Sequence, residues 1–293
     1  MGFLEIGNCL DSAEMAISRK QDLDISSSLA KSLGVSAVAI SRMGEYTADS
    51  GKVIDIRSAV HKACAGKISI PPDFALPESA FEPCESTHVL VSNETTLQAA
   101  FRLARQGLRP LALNFANGIS PGGGFLHGAR AQEETLCRSS ALYCTLEGDP
   151  LYTAHRKRSS EDSTDWAIYS PSVPVFRLDA GAFLDVPWHL CFVTCAAPVA
   201  QRIGTEKSAM LMKKRIHRVL EIAHAYQHTT LVLGAWGCGA FGNDPYPIAR
   251  CFRESLETEF AGKFSYVSFA ISDWSPERRI LKPFARVFCA PNA

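Results

Sequence analysis

The sequence predicts an α/β protein in which a sheet carries helices on both faces. From His88 onward, short apolar runs typical of buried strands alternate with patterns typical of amphipathic helices. The composition is 46% hydrophobic and 20% charged, as expected of a globular protein. At 293 residues the chain has room for one large domain or two smaller ones.

The N-terminal part is predicted to be a mainly helical accessory region. Residues 1 to about 30 have a mixed helical pattern that fits either a helix or an extension, and Asp24 to Arg42 predicts a helix. Val53 to Ile56 predicts a short strand, and Ser58 to Ala65 predicts a helix. A proline-rich stretch at 70–83 then reads as a linker. We therefore divide the chain into an accessory region and linker at 1–83 and a main domain at 84–293.

The second part has the regular alternation. Its predicted strands are His88 to Val91, Pro110 to Phe115, Ala167 to Ser170, Leu190 to Cys195, Thr229 to Ala235 and Phe264 to Ile271. Its predicted helices are Glu94 to Arg105, Gln132 to Leu146, Lys207 to His224 and Pro247 to Phe260. Asn93 is the expected N-cap of the first of these helices, and Gly107 follows its end.

The strand that ends at Phe115 leads into a glycine-rich loop with the triplet Gly122, Gly123 and Gly124. Glycines without Cβ atoms let the backbone approach a ligand closely and adopt positive φ. Backbone N–H groups in such a loop, and at the helix start behind it, suit an anion such as phosphate. Glu133 and Glu134 follow in the first turn of that helix. The stretch therefore predicts a phosphate cradle with an acid group at its edge.

A second glycine loop, 237–242, follows the very apolar strand that ends at Ala235. Ligands of open α/β sheets bind at the carboxyl ends of the strands. Because both loops follow strands, we expect them to meet at one edge and to hold opposite sides of one diphosphate.

Several classes of function are disfavoured. The net charge is zero, which argues against a strongly electrostatic nucleic-acid binder but leaves room for a local basic patch. The ten cysteines contain no Cys-x-x-Cys pair, and Cys191 and Cys195 fit core packing better than a zinc site. We expect no metal and no cofactor. The chain shows no signal-peptide pattern and no apolar run of the roughly 20 residues that span a bilayer. We expect no membrane association and a cytoplasmic setting, or a nuclear one in a eukaryote.

The glycine triplet followed by Gln132-Glu133-Glu134 resembles the pattern of microbial-type poly(ADP-ribose) glycohydrolases, which have a macrodomain fold. The resemblance covers roughly residues 30 to 275. It departs from the family at Ile119-Ser120, where a basic residue and an asparagine are expected. Further matching stretches are 44–53, 138–143, 168–171, 173–177 and 233–245.

The resemblance implies a macrodomain-like mixed sheet flanked by helices, with the accessory region closing one end of the site. It implies hydrolysis of ribose–ribose O-glycosidic bonds, with ADP-ribose released from chain ends. The partners would be poly(ADP-ribose) or ADP-ribosylated proteins, with ADP-ribose as the product. Such a reaction passes through an oxocarbenium-like state and needs a proton on the leaving oxygen.

Glu134 falls on the position of the family's catalytic acid, and Glu133 is expected to orient the sugar by accepting ribose hydroxyls. Neighbouring helical residues point about 100° apart, so the two are not expected to face each other as a symmetric pair. The expected substrate-binding residues are Asn117, Gly122, Gly123, Gly124, Phe125, Gln132, Gly237, Cys238, Gly239, Ala240 and Phe241.

Other interpretations stay open at this point. Acidic residues favour helix N-termini in any case. Phe241 fits a ligand contact or a core aromatic, and Gln132 fits a helix cap or a contact to the accessory region. His127 is expected to be solvated or structural, and Trp236 to be core. Asn114 also resembles a ribose-binding asparagine, but it lies close to the strand.

Other functions are also weighed. Cys238 as the nucleophile of a cysteine hydrolase lacks a histidine placed by the sequence. The glycine triplet does not fit the dinucleotide-binding fingerprint. The remaining alternatives are a hydrolase of single ADP-ribose groups on proteins and a macrodomain that binds ADP-ribose without hydrolysing it.

Overall fold

The computed structural model describes residues 3–79 and 82–289. Residues 1–2, 80–81 and 290–293, parts of the predicted accessory region, linker and main domain, lie outside the described residues. In chain order the strands are β1 (Phe3–Ile6), β2 (Glu45–Thr47), β3 (Val53–Asp55), β4 (Ile68–Ile70), β5 (Ser86–Ser92), β6 (Pro110–Ala116), β7 (Ala167–Arg177), β8 (Phe183–Ala196), β9 (Thr230–Leu233) and β10 (Tyr266–Ala270).

The helices surround these strands. In chain order they are α1 (Ala13–Leu23), α2 (Ser27–Met43), α3 (Arg57–Ala65), α4 (Thr96–Arg105), α5 (Gln132–Ser139), α6 (Leu142–Leu146), α7 (Pro150–Arg156), α8 (Ala200–Ile203), α9 (Thr205–Ala225), α10 (Pro245–Glu257) and α11 (Leu281–Phe288). A short 3₁₀ turn, Phe125–His127, precedes α5.

Eight strands form one mixed sheet in the order β1-β5-β10-β9-β6-β8-β7-β4. The first six are parallel to their neighbours, whereas β7 is antiparallel to β8 and β4 is antiparallel to β7. β2 and β3 pair separately. The predicted α/β sheet flanked by helices is confirmed.

The core lies on both faces of this sheet. Along β6, Leu111 and Leu113 belong to the cluster packed with α9 and α10, whereas Ala112 belongs to the cluster packed with α4 and α5. This alternation follows from the two-residue repeat of a strand. Central parallel strands are covered on both faces, which explains why they read as continuous apolar runs.

The residues before position 84 contribute both edge strands of the sheet. β1 pairs with β5 at one edge, and β4 pairs with β7 at the other. Between them, α1, α2 and α3 supply the expected helical content, and residues 71–79 contain no helix or strand. The division at residue 83 stays a prediction, and the two parts share one sheet.

Two predictions about helices were wrong. The predicted helix Gln132 to Leu146 breaks between α5 and α6, because Ser140 is extended and forms a bridge to Val175 of β7. The cap of α4 is Thr95, which forms a capping box with Gln98. Asn93 is instead buried, and its side chain bonds to Asp11 and to the backbone of Asp273.

Within the described residues, no single helix is long and apolar enough to cross a membrane. The bent pair α1 and α2, which meet at 66°, meets the length and composition criteria only when joined.

Candidate active site

The two glycine loops lie at the same edge of the sheet. β6 and β9 are parallel neighbours, so the loops that follow them leave from adjacent carboxyl ends. The first loop passes the end of β8 at Gly118, where an added Cβ would lie 3.3 Å from the Ala196 Cβ. The second loop passes it at Gly237, where an added Cβ would lie 2.7 Å from the Ala197 Cβ. The expectation that both loops meet at one edge is confirmed.

A cavity of about 320 Å³ opens between the second loop, the starts of α4 and α5, and the segment after β10. The residues that line the cavity include Leu23, Asp179, Gln132, Gly239, Ala240 and Phe241.

The glycine triplet wraps around the two carboxylates of α5. The N–H of Gly124 donates to Oε1 of Glu134 at 2.9 Å. A Cβ on Gly123 would lie 2.3 Å from that oxygen and 3.0 Å from Oε2 of Glu133, and Gly123 also has φ of +58°. Side chains at this position are therefore excluded both by space and by backbone conformation.

Glu134 lies in the first turn of α5 and is only 9% exposed. The positive end of the helix dipole and the Gly124 N–H both face its carboxyl group. Its second oxygen accepts no hydrogen bond from any described residue, which leaves that oxygen for a ligand.

Glu133 is held in a different environment. Its Oε2 accepts from the N–H of Asn117 at 2.7 Å, and its Oε1 accepts from the amide of Asn114 at 3.3 Å. Burial raises the pKa of Glu133 to about 8; the charge of Glu134 also raises it, while the hydrogen bonds from Asn117 and Asn114 oppose the rise. Burial thus favours the protonated form of Glu133, and its hydrogen bonds anchor the first loop. The two carboxyl groups are not equivalent, as expected.

This pKa makes stability depend on pH. Between the ordinary value near 4.5 and about 8, the folded protein holds a proton at Glu133 that the unfolded chain releases, so the contribution of this group to stability falls as pH rises through that window. We expect the free energy of unfolding of Glu133→Gln, taken relative to that of the wild type, to increase by a few kcal/mol as the pH rises from 5 to 8. Denaturant unfolding at intervals across this range measures the difference.

A matched control for this comparison is Glu78→Gln, which changes an exposed carboxylate. The difference in free energy of unfolding between this variant and the wild type should stay constant from pH 5 to pH 8. A flat difference for Glu133→Gln as well would contradict a buried, protonated Glu133.

Asn114 lies in a strand and Asn117 lies in the first loop, as the sequence indicated. Asn114 lies inside β6, is fully buried, and donates to Thr194 as well as to Glu133. Asn117 begins the loop, and its Oδ1 accepts from the N–H groups of Ile119 and Ser120, both at 2.9 Å. Its amide nitrogen has no partner among the described residues and remains for a ligand.

In the second loop, backbone rather than side chains faces the cavity. Gly237 and Gly242 have φ of +75° and +70°. An added Cβ on Gly239 would meet nothing within 4 Å. Ala240 is exposed, and the half-buried Phe241 lines the cavity while packing against the core. Phe241 thus packs against the core, and its predicted contact with the ligand stays a prediction. Trp236 is fully buried, which confirms its core role.

Cys238 does not have the environment of a nucleophile. It is 7% exposed, and its thiol lies 3.6 Å from the carbonyl oxygen of Trp236. Burial raises its pKa to about 12, so the reactive thiolate is absent at neutral pH. All ten cysteines are free, and the described residues contain no His, Cys, Asp and Glu cluster that could hold a metal ion.

The side chain of Phe125 is part of the core, and its predicted contact with substrate stays a prediction. Its side chain is 1% exposed, and its ring lies 4.9 Å from that of Tyr143. It also packs against Gly34 of α2, where an added Cβ would approach the Phe125 carbonyl oxygen to 2.7 Å. Phe125 therefore packs the first loop against α2, and its side chain does not face the cavity.

Gln132 takes neither of its expected roles as a cap or as a contact to the accessory region. Its Oε1 accepts from the N–H of Phe115, and its amide nitrogen donates to Leu113 O and Thr96 Oγ1. It ties the start of α5 to the end of β6, which positions the two glutamates. Its predicted contact with substrate stays a prediction. His127 is exposed, as expected.

Sequence reasoning missed the contribution of α7. Thr164 N–H donates to Nε2 of His155, so the neutral ring carries its proton on Nδ1, which donates to Gly118 O at 3.0 Å. Burial lowers the pKa of His155 and favours this neutral form. Arg156 donates to Ile119 O at 2.7 Å. The Asp149-Pro150 pair, an N-cap followed by proline, was the available signal for α7.

Buried charge surrounds the first turns of α5. Arg138 lies one turn after Glu134 on the same face of the helix and is 1% exposed. No described residue accepts a hydrogen bond from its guanidinium nitrogens. Burial raises the pKa of Asp179, which lines the cavity, to about 6, while the Thr95 hydroxyl opposes the rise. Arg138 compensates part of the negative charge of Glu134 and Asp179.

Comparison with known proteins gives a consistent result. Residues 35–178 match the family model of the microbial-type PARG catalytic domain, where PARG denotes poly(ADP-ribose) glycohydrolase. The poly(ADP-ribose) glycohydrolase of Thermomonospora curvata is 40% identical with a TM-score of 0.82, and the match covers 88% of this chain and 99% of that one. Its complex with the inhibitor ADP-HPD gives 40% identity, a TM-score of 0.81 and the same coverage.

A second bacterial structure extends the comparison. The Deinococcus radiodurans poly(ADP-ribose) glycohydrolase in complex with ADP-ribose is 36% identical with a TM-score of 0.71, and the match covers 80% of this chain and 98% of that one. A search of curated proteins gave no significant match.

Proposed function

This chain belongs to the microbial-type poly(ADP-ribose) glycohydrolase family, and from that premise we propose how its own residues hydrolyse poly(ADP-ribose). It is a glycoside hydrolase that cleaves ribose–ribose bonds and releases ADP-ribose. The observation that carries the mechanism is the contact between Gly124 N–H and Glu134, at the sheet edge shared by both glycine loops.

Binding begins with the diphosphate of the terminal ADP-ribose unit. Backbone N–H groups of the loop from Gly237 to Phe241 hold it from one side. The Gly122–Gly124 triplet lies against its other side, where the N–H groups of Gly123 and Gly124 already donate to Ser120 O and to Glu134. The adenosine part lies in the cavity, and the distal ribose lies against the carboxyl group of Glu134. Asn117 offers its free amide nitrogen to this sugar.

Cleavage then uses Glu134 as the general acid. Its proton passes to the leaving ribose oxygen as the glycosidic bond breaks and positive charge develops on the distal ribose. Water then attacks the anomeric carbon of the distal ribose. The deprotonated Glu134 or a substrate phosphate oxygen orients this water and accepts its proton. Glu133 and Gln132 hold the loop and the helix in place.

We also propose that cleavage occurs at chain ends, because the accessory region closes one end of the cavity. Leu23 lines the cavity, Asp24 pairs with Arg130 at 3.0 Å, and Ser27 donates to Gly128 O at 3.1 Å. A polymer bound internally would need both ends of the cavity open.

Product analysis tests the reaction and its direction together. Incubation with long poly(ADP-ribose) should release free ADP-ribose from the first time points while the remaining chains stay long. Early fragments of intermediate length would contradict cleavage from ends. Parallel assay of a mono-ADP-ribosylated protein separates the polymer hydrolase from a mono-ADP-ribose hydrolase. Deleting residues 1–75 is unsuitable here because it would also remove β1 and β4.

A further inference from the structure

The C-terminal end of α7 carries positive charge that the protein does not neutralise. The run His155-Arg156-Lys157-Arg158 closes this helix. Arg158 pairs with Asp162 at 2.7 Å. By contrast, Arg156 and Lys157 are exposed and have no carboxylate partner within the described ranges.

This charge is fixed to the rim of the first glycine loop. Arg156 donates to the carbonyl oxygen of Ile119 at 2.7 Å, and His155 holds that of Gly118. Gly118 and Ile119 directly follow Asn117, whose N–H donates to Glu133 at 2.7 Å. The basic end of α7 is therefore connected to Glu133 through the Asn117–Ile119 segment.

The end of β8 connects the cavity to the helix end. The cavity extends from the ends of β5, β9 and β10 to Phe115 of β6 and to Ala197, which follows β8. Gly118, which His155 holds, borders the neighbouring residue Ala196. Toward the accessory region the site is closed by Leu23 and the Asp24–Arg130 pair. A polymer whose terminal unit fills the cavity can therefore pass the end of β8, where the first loop and α7 lie.

The chemistry of the polymer places a second diphosphate nearby. The oxygen that leaves belongs to the adenosine ribose of the next unit, and that same ribose carries the next diphosphate. Only one sugar ring therefore separates the scissile bond from this anion. Arg156 uses one N–H for Ile119 and one for the Thr153 hydroxyl, which leaves three of its five donors for a phosphate.

We propose that Arg156 and Lys157 form a second subsite. It binds the diphosphate of the next ADP-ribose unit, which stays on the departing polymer chain. This inference rests on the proposed function and deepens it. The subsite would attract polymer but would not contact the ADP-ribose product, so it would raise affinity for the chain without delaying release of the product. It would act through charge, and its effect would weaken with salt.

The test is the double substitution Arg156→Gln/Lys157→Gln, assayed with long poly(ADP-ribose) and, separately, for binding of free ADP-ribose. We expect kcat/KM on the polymer to fall roughly ten-fold or more, mainly through KM, because charge-assisted hydrogen bonds are lost. Affinity for ADP-ribose should not change. The dependence of KM on salt should become shallower, since two cations are removed.

Matched controls separate this subsite from charge in general and from a structural role. Arg105→Gln/Lys62→Gln removes the same charge from exposed positions in α4 and α3, and it should leave all three readouts unchanged. Lys157→Gln alone, which removes no side-chain hydrogen bond seen in the described residues, should still give part of the loss.

The outcomes distinguish the subsite from the activity itself. Unchanged polymer kinetics with intact ADP-ribose release would overturn the subsite and leave the glycohydrolase assignment standing. A parallel fall in ADP-ribose affinity would also overturn it, because Arg156 would then act by holding the first loop. Wild-type protein that releases no ADP-ribose would instead overturn the proposed function on which the subsite rests.

Discussion

Glu134→Gln is expected to lower kcat on poly(ADP-ribose) by roughly 10²–10⁴-fold, the usual contribution of a general acid. Glutamine has the shape of glutamate and still accepts the Gly124 N–H through its carbonyl oxygen, so the loop should keep its conformation. It has no acidic proton for the leaving oxygen. Binding of ADP-ribose should remain close to that of the wild type, and calorimetry alongside the polymer assay measures both.

This pairing of readouts also decides between an enzyme and a binding module. Loss of turnover with retained binding supports Glu134 as the acid. Full turnover by the variant would remove Glu134 from the reaction. Wild-type protein that binds ADP-ribose without hydrolysing polymer would favour the non-catalytic macrodomain.

Gly123→Ala is expected to damage both the fold and the reaction. The backbone conformation at φ +58° alone costs about 1–2 kcal/mol for a residue with a Cβ. The added methyl group would also lie 2.3 Å from Oε1 of Glu134 and force that carboxyl group to move. Displacement of a catalytic group by about 1 Å lowers activity roughly 10²-fold, so we expect at least that loss in kcat/KM.

Gly7→Ala is the matched control for this substitution. Gly7 has no positive φ, and its added Cβ would meet no atom within 4 Å. Its thermal midpoint and kinetics should equal those of the wild type. A Gly123→Ala protein with full activity would show that the triplet does not confine the acid.

Much of the site was predictable because its signals are local. Glycines in succession, a following helix and adjacent carboxylates occupy one stretch of chain, and the α/β alternation places the loop at the carboxyl end of a strand. The second loop was predictable by the same argument. That β9 lies next to β6, which brings the loops together, required the sheet order.

The residues whose environments differ from the expectation are those decided by distant contacts. The environment of Phe125 depends on Gly34 of α2, about ninety residues earlier in the chain. Gln132 is occupied by the backbone of β6 and by Thr96. A side chain beside a motif can serve the ligand or the scaffold, and its residue type does not distinguish the two.

Residues outside the motifs support the loop for the same reason. His155 and Arg156 reach back 37 positions to Gly118 and Ile119. The strands β1 and β4 are short, and they complete the sheet only through pairing with β5 and β7. Propensity over three or four residues carries little information about such partners.

A crystal structure of Glu134→Gln with a short poly(ADP-ribose) chain would show directly whether both glycine loops hold one diphosphate beside this side chain. We expect one diphosphate to contact the Gly122–Gly124 triplet on one side and to accept N–H groups of the loop from Gly237 to Phe241 on the other. We also expect the side chain at position 134 to lie within about 3 Å of the glycosidic oxygen, as a proton donor requires. A diphosphate held by one loop alone, or a side chain turned away from the sugar, would contradict this arrangement.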